Sequence, residues 1–196
     1  MAQVTNGTDM SGPADDVIAA VLEDHARIKT LMNDVSVAGP DKQERFRALV
    51  EKLAVHETAE EEVVHPMARR ATDGAVVVEQ RLDEESDGKA ALAELERMGV
   101  DAAGFNDAFD RLRSAVLDHA EHEEHDELPR LRSDVEPERL ERAGRIFRAA
   151  ERVGPTHAHQ HSPESATGNL LVGTFVAAAD RARDALRDVA DHPGRD

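Results

Sequence analysis

The chain has no cysteine, tryptophan or tyrosine, and only five phenylalanines in 196 residues. Without cysteine, disulfides, thiolate metal sites and iron–sulfur clusters are excluded. No apolar run approaches the roughly eighteen residues that a membrane-spanning helix needs. Positive charge is also short: 24 Lys and Arg stand against 41 Asp and Glu, a net charge of −17. That balance argues against nucleic acid and anionic membranes as partners. Residues 1–13 are polar, with neither a basic start nor an apolar core, so no secretory signal is expected there and the tail is expected to be disordered. A soluble cytoplasmic protein, either a monomer or a small homo-oligomer, is the expectation. Strand-like alternation between turn residues is missing too. What remains is Ala, Leu, Val, Glu and Arg, a composition that suits helices.

The most informative stretch runs from His56 to Pro66, His-Glu-Thr-Ala-Glu-Glu-Glu-Val-Val-His-Pro. On a helix, His56 and Glu60 are one turn apart and share a face. Phe46, Leu49, Val50 and Leu53 lead up to that face and Val63, Val64 and Met67 continue it, so a histidine and a carboxylate fall where the core stripe wants apolar groups. Burying a carboxylate without a partner costs several kcal/mol. The pattern returns 63 residues on: His119 matches His56, Glu123 matches Glu60, Glu124 matches Glu61 and Pro129 matches Pro66. Phe105, Phe109, Leu112 and Val116 form its leading stripe. Two His-x-x-x-Glu pairs on apolar stripes read as two halves of one buried metal site.

Taken in order, a first helix is expected from Asp15 or Asp16 to about Val37, ended by Gly39-Pro40, with His25 inside its apolar stripe. The second starts near Asp41 and carries His56 and Glu60, with a kink or break at Pro66. After the turn at Asp73-Gly74, a third helix runs from about Ala75 to Met98. Glu85 lies on its apolar side and corresponds to His25 at an offset of sixty, while Asp83, Glu84 and Asp87 read as a solvated acidic run. Gly99 to Gly104 connect to a fourth helix, about Phe105 to Leu131, with His119 and Glu123. The chain is thus two consecutive helical hairpins, each with one inward ligand on its first helix and a His-x-x-x-Glu pair on its second. The all-α expectation is an up-down-up-down four-helix bundle over residues 14–133, with additional C-terminal helices over residues 134–196. One of these starts at Glu136-Pro137-Glu138. A His-rich linker over 154–163 carries His157, His159 and His161, and a last helix spans about 165–189.

Collected, His25, His56, Glu60, Glu85, His119 and Glu123 make a sulfur-free shell of three imidazoles and three carboxylates. That shell suits iron or manganese, and zinc also fits. Six ligands exceed one tetrahedral site and match two metals sharing carboxylates, with Glu60 and Glu123 as the natural bridges. A purely structural core is disfavoured, because three Glu against three His leave no fixed cation and buried ion pairs seldom add net stability. His65 and His122 are expected to face solvent.

The order His25, His56-x-x-x-Glu60, Glu85, His119-x-x-x-Glu123 resembles the hemerythrin-like, or HHE cation-binding, proteins, over about residues 15 to 133. The resemblance implies a non-haem centre of two iron ions, bridged by carboxylate and by oxo or hydroxo groups, in a four-helix bundle that handles oxygen or related small species. His25, His56, Glu60, His119 and Glu123 match its motif positions, whereas Glu85 stands where the family more often has histidine. A carboxylate there favours ferric iron and lowers the potential, which weakens reversible dioxygen carriage. Without tyrosine no phenolate ligand is available. The implied activity is binding of, and reaction with, peroxide, dioxygen or nitric oxide, with peroxide decomposition its most concrete version. A metal-binding, iron-sequestering or sensing module without turnover is the alternative.

Overall fold

The computed structural model describes residues 15–71, 73–152 and 172–191. The tail 1–13 and the linker with His157, His159 and His161 lie outside the described residues, as do Leu170 and Leu171 of the expected last helix. The described residues are helical without strands. Helix α1 spans Val17–Ser36, α2 Lys42–Ala59, α3 His65–Ala68, α4 Gly74–Met98, α5 Phe105–His122, α6 Leu128–Asp134, α7 Pro137–Glu151 and α8 Val172–Asp191. None is long and apolar enough to cross a membrane. A π turn, Glu60–Val64, fuses α2 to α3, and a second, Glu123–Glu127, fuses α5 to α6. The described residues therefore form six rods, four in the bundle and two packed outside it.

Local chemistry sets the ends. Asp16 caps α1 by accepting from the Ala19 N–H at 2.9 Å, and Arg132 of α6 binds the same carboxylate. Gly99 and Gly104 close α4 and open α5 at φ of 80° and 89°, which a side chain would strain. Pro137 opens α7 where its missing N–H costs nothing. The expected kink at Pro66 resolves differently. The helix widens by one residue ahead of each proline, so the His65 N–H reaches back five residues to the Glu60 carbonyl and the Leu128 N–H to that of Glu123. Both π turns sit at the His-x-x-x-Glu pairs, a frequent placement for such bulges at working sites.

Two apolar clusters fill the core. One holds Phe46, Leu49, Leu95, Phe105, Phe109 and Leu112 with Ile28 and Met32. Phe105 stacks on Phe109 at 5.9 Å, and Phe46 meets Phe105 edge-on at 5.3 Å. The other holds Ile18, Val21, Ala54, Leu128, Leu131, Leu140 and Phe147, joined by Ala178, Ala182 and Leu186 of α8. Helix α7 lies along α1, and α8 along α2 and α7, so the C-terminal helices cover the bundle through Leu140, Phe147, Ala182 and Leu186. A layer of buried histidines and carboxylates separates the two clusters.

Away from that layer, the Glu96 side chain near the end of α4 is buried, with Oε1 unpartnered. Burial raises its carboxyl from 4.5 to about 7. The folded state therefore binds this proton more tightly than the unfolded chain does. The associated stability is complete below about pH 4.5 and is lost as pH rises through about 7. Glu96→Gln is expected to flatten that slope and to raise the melting temperature at pH 8 by about 2 °C. Paired thermal melts at pH 5 and pH 8 check it.

Candidate metal centre

Each of the four bundle rods contributes to the polar layer. Helix α1 carries His25, α2 with its π turn His56 and Glu60, α4 Glu85, and α5 with its π turn His119 and Glu123. Ligand atoms of His25, His56, Glu60 and Glu123 lie within 4.8 Å of one another, and so do those of Glu60, Glu85 and His119. All six side chains singled out in the sequence thus converge, in two groups that share Glu60. Glu123 links the groups a second time, with Oε2 3.1 Å from His25 Nε2 and Oε1 3.4 Å from His119 Nε2. His56 Nε2 lies 3.4 Å from Glu60 Oε2.

The rings are held by carboxylates on their far side. His25 Nδ1 bonds Glu124 at 2.9 Å, His119 Nδ1 bonds Glu84 at 3.0 Å, and His56 Nδ1 faces Asp24 at 3.4 Å. Each ring thereby turns Nε2 inward, the arrangement that fixes tautomer and direction at histidine metal sites. Asp24 is anchored in turn by Lys52 at 2.5 Å, and Glu84 by Arg81 at 3.0 Å. Asp24 and Glu84 occupy equivalent places in the two hairpins, so each half brings its own cation–carboxylate–imidazole chain. Sequence reasoning passed over Asp24, and took Glu84 for a solvated group. The sixty-residue offset that pairs His25 with Glu85 is the signal that also pairs Asp24 with Glu84.

Two expectations are corrected. His65 does not face solvent: it is buried at 2% exposure, with Nε2 2.7 Å from Glu85 Oε1 and Nδ1 3.0 Å from Glu127. The π turn is the reason, because the widened coil swings His65 inward. Nor does the layer lack a fixed cation, since Lys89 Nζ lies 3.1 Å from Glu85 Oε2. His122 is half exposed, as expected, and bonds Glu84 Oε1 at 2.9 Å.

The electrostatics show what the layer lacks. Burial, reinforced by Glu123, Glu85, Glu127 and Glu57, pushes the Glu60 carboxyl far above the usual carboxylate range. Burial, with the charge of His25 adding to it, pushes His56 well below the usual histidine range. Burial also opposes ionisation of Glu123, but the His25 ring 3.1 Å away and the charges of His119 and His56 outweigh it and bring the group down. For His25, burial is outweighed by Glu123 and Glu124, and the ring rises to about 9. Both Glu60 oxygens, Glu123 Oε2, His25 Nε2 and His119 Nε2 are buried without an aligned hydrogen bond. Buried polar atoms rarely go unpaired. Here five of them, all lone-pair donors of the kind that bind divalent cations, point into one place. The residues fit a nitrogen–oxygen metal centre. Beside them a cavity of about 20 Å³ is walled by His25, His56, His119, Ile28, Leu53 and Val116, room for one water-sized guest.

Comparison with known proteins agrees with this geometry. The Hemerythrin HHE cation binding domain matches residues 16–131. An uncharacterized hemerythrin-like protein of Schizosaccharomyces pombe is 25% identical over 171 residues, covering 85% of this chain and 84% of its own. A Nostoc protein named DNA nickase is 30% identical over 151 residues, which are 76% of this chain and 42% of that longer one. The crystal structure of a Hemerythrin HHE cation binding domain-containing protein from Mycobacterium kansasii superposes with a TM-score of 0.65 at 19% identity, covering 83% of this chain and 98% of that one. With two His-x-x-x-Glu pairs converging at the centre of a helical bundle, the chain belongs to the Hemerythrin HHE cation binding domain family.

Proposed function

We propose that the centre holds two non-haem iron ions, one among His25, His56, Glu60 and Glu123 and one among Glu60, Glu85 and His119, and that it binds and reacts with peroxide, dioxygen or nitric oxide. The observation that carries this reading is Glu60: a fully buried carboxylate, surrounded by other carboxylates, with neither oxygen hydrogen-bonded. In its ionised form such a group needs a cation beside it, and its place in both ligand groups would let it serve either ion. Iron, when bound, supplies open coordination positions and redox change. The chain's own residues do the rest. Asp24, Glu84 and Glu124 hold the imidazoles in register, and Ile28, Leu53 and Val116 keep the adjoining cavity small and apolar. A cavity of about 20 Å³ favours the smallest ligands and turns away organic substrates. Glu85, in place of a neutral imidazole, adds negative charge that favours the ferric state and hence turnover over reversible carriage.

The match to the nickase takes up less than half of that protein, and the net charge of −17 opposes a duplex phosphate backbone. Both features speak against nucleic-acid chemistry at this centre.

Loading with ferrous iron under anaerobic conditions, desalting and exposure to air test the proposal. Close to two irons per chain, with the near-ultraviolet and visible bands of a bridged diferric pair, are expected. Peroxide consumption then measures turnover. Many irons per chain indicate sequestration instead, and near-zero iron with unchanged helicity overturns the di-iron reading.

A further inference from the structure

The two ligand groups differ in a way that the hairpin repeat does not require. Glu60 and Glu123, in the group with His25 and His56, face imidazoles. In the group with His119, by contrast, both oxygens of Glu85 are engaged. His65 Nε2 takes Oε1 at 2.7 Å and Lys89 Nζ takes Oε2 at 3.1 Å. Lys89 sits in a cradle of three carboxylates, since Glu61 Oε1 lies 2.6 Å away and Glu57 Oε2 3.2 Å. Its counterpart in the first hairpin, Lys29, approaches a single carboxylate among the described residues, that of Glu124 at 3.6 Å. A compact ammonium among three carboxylate oxygens occupies the kind of place a metal ion would take, and its charge repels a divalent neighbour.

We propose that Lys89 guards the second metal position, so that the two ions load in order. The first enters among His25, His56, Glu60 and Glu123. The second enters among Glu60, Glu85 and His119 only as the ammonium withdraws from Glu85 onto Glu57 and Glu61. The inference rests on the metal-binding reading above and adds an order and an affinity gap to it. Glu85 makes the gate work: a histidine at that place would offer Lys89 no oxygen.

The test is titration of the metal-free full chain with cobalt(II), an air-stable stand-in for ferrous iron. Calorimetry and visible absorption follow it, with bound metal counted. The wild type is expected to show two steps at least about tenfold apart in affinity, the charge repulsion acting on the second ion alone. Lys89→Gln should close the gap to about threefold or less by strengthening the second step, with the first unchanged. Glu61→Gln removes the negative charge at the shortest of the Lys89 contacts, which makes withdrawal from Glu85 harder and should widen the gap; this keeps the test intact should Lys89→Gln lose helicity. Two equivalent ions in the wild type overturn the inference, as does a gap that Glu61→Gln and a folded Lys89→Gln leave unchanged. One tight ion and no second in any of the three proteins also overturns it, while leaving the metal-binding reading in place. No ion bound in any of them overturns that reading itself.

Discussion

Metal-free Glu60→Gln is expected to melt about 5 °C above the metal-free wild type, a gain of about 2 kcal/mol in a chain of this size. Removing a buried acid usually destabilises, but Glu60 has no protein donor to lose. Its neighbours Glu123, Glu85, Glu127 and Glu57 raise the cost of its charge. Folding near neutral pH therefore either buries that charge or takes up a proton; glutamine keeps the shape, escapes both costs and brings an N–H₂ that can donate to those carboxylates. With metal the order reverses. A ligand at a hundred times its dissociation constant stabilises the folded state by about 2.7 kcal/mol. The substitution weakens a donor common to both groups of potential ligands, so the variant should lose most of that gain. Melts in chelator and in excess metal, run on both proteins, give four numbers. A lower metal-free melting point for the variant would show that Glu60 serves the fold and would sink the metal argument.

Gly144→Ala is expected to cost about 3 kcal/mol, a large loss for one methyl group. A Cβ at residue 144 would lie 2.4 Å from the Asp15 carbonyl oxygen, 2.6 Å from the Asp16 carbon and 2.8 Å from the Val17 nitrogen. These are backbone atoms, at the one end of α1 that cannot move aside. Asp16 is held there by its cap to Ala19 and by Arg132, and Val17 and Ile18 are fully buried. The gain of about 1 kcal/mol that alanine brings to a helix interior is outweighed, and α7 must lift away from α1. Phe147, on the same helix, packs its ring 6.3 Å from that of His56. The variant should therefore also surrender bound metal to a chelator faster than the wild type. Urea unfolding measures the first effect, and the time course of metal transfer to a coloured chelator the second.

The 3.6-residue period made most of this protein legible. His25, His56, Glu60, Glu85, His119 and Glu123 each fall on an apolar stripe, and together with the repeat of the hairpin that predicted their convergence. Helix ends followed from Gly39-Pro40, Asp73-Gly74 and the Gly99 and Gly104 pair, to within a residue or two. The same period hid His65. It lies nine residues after His56, and at about 100° per residue that is half a turn away. Only the wide π turn brings it round, and no pattern of apolar residues announces an extra residue in a coil. The groups that steer the histidines were hidden for a different reason. Asp24, Glu84 and Glu124 stand within charged runs whose ordinary reading is a wetted surface. Lys89 follows Gly88 in a polar stretch of α4, and its long stem reaches inward from a residue that looks exposed in sequence.

Because each hairpin carries its own imidazole, buried carboxylate and anchoring chain, the centre is assembled from two nearly self-sufficient halves. Lys52, Asp24 and His56 serve one, and Arg81, Glu84 and His119 the other. A duplicated device of that kind can drift one half at a time. A change at residue 85 alters one group of potential ligands and leaves His25, His56, Glu60 and Glu123 as they were, so the two halves can be made unlike by a single substitution.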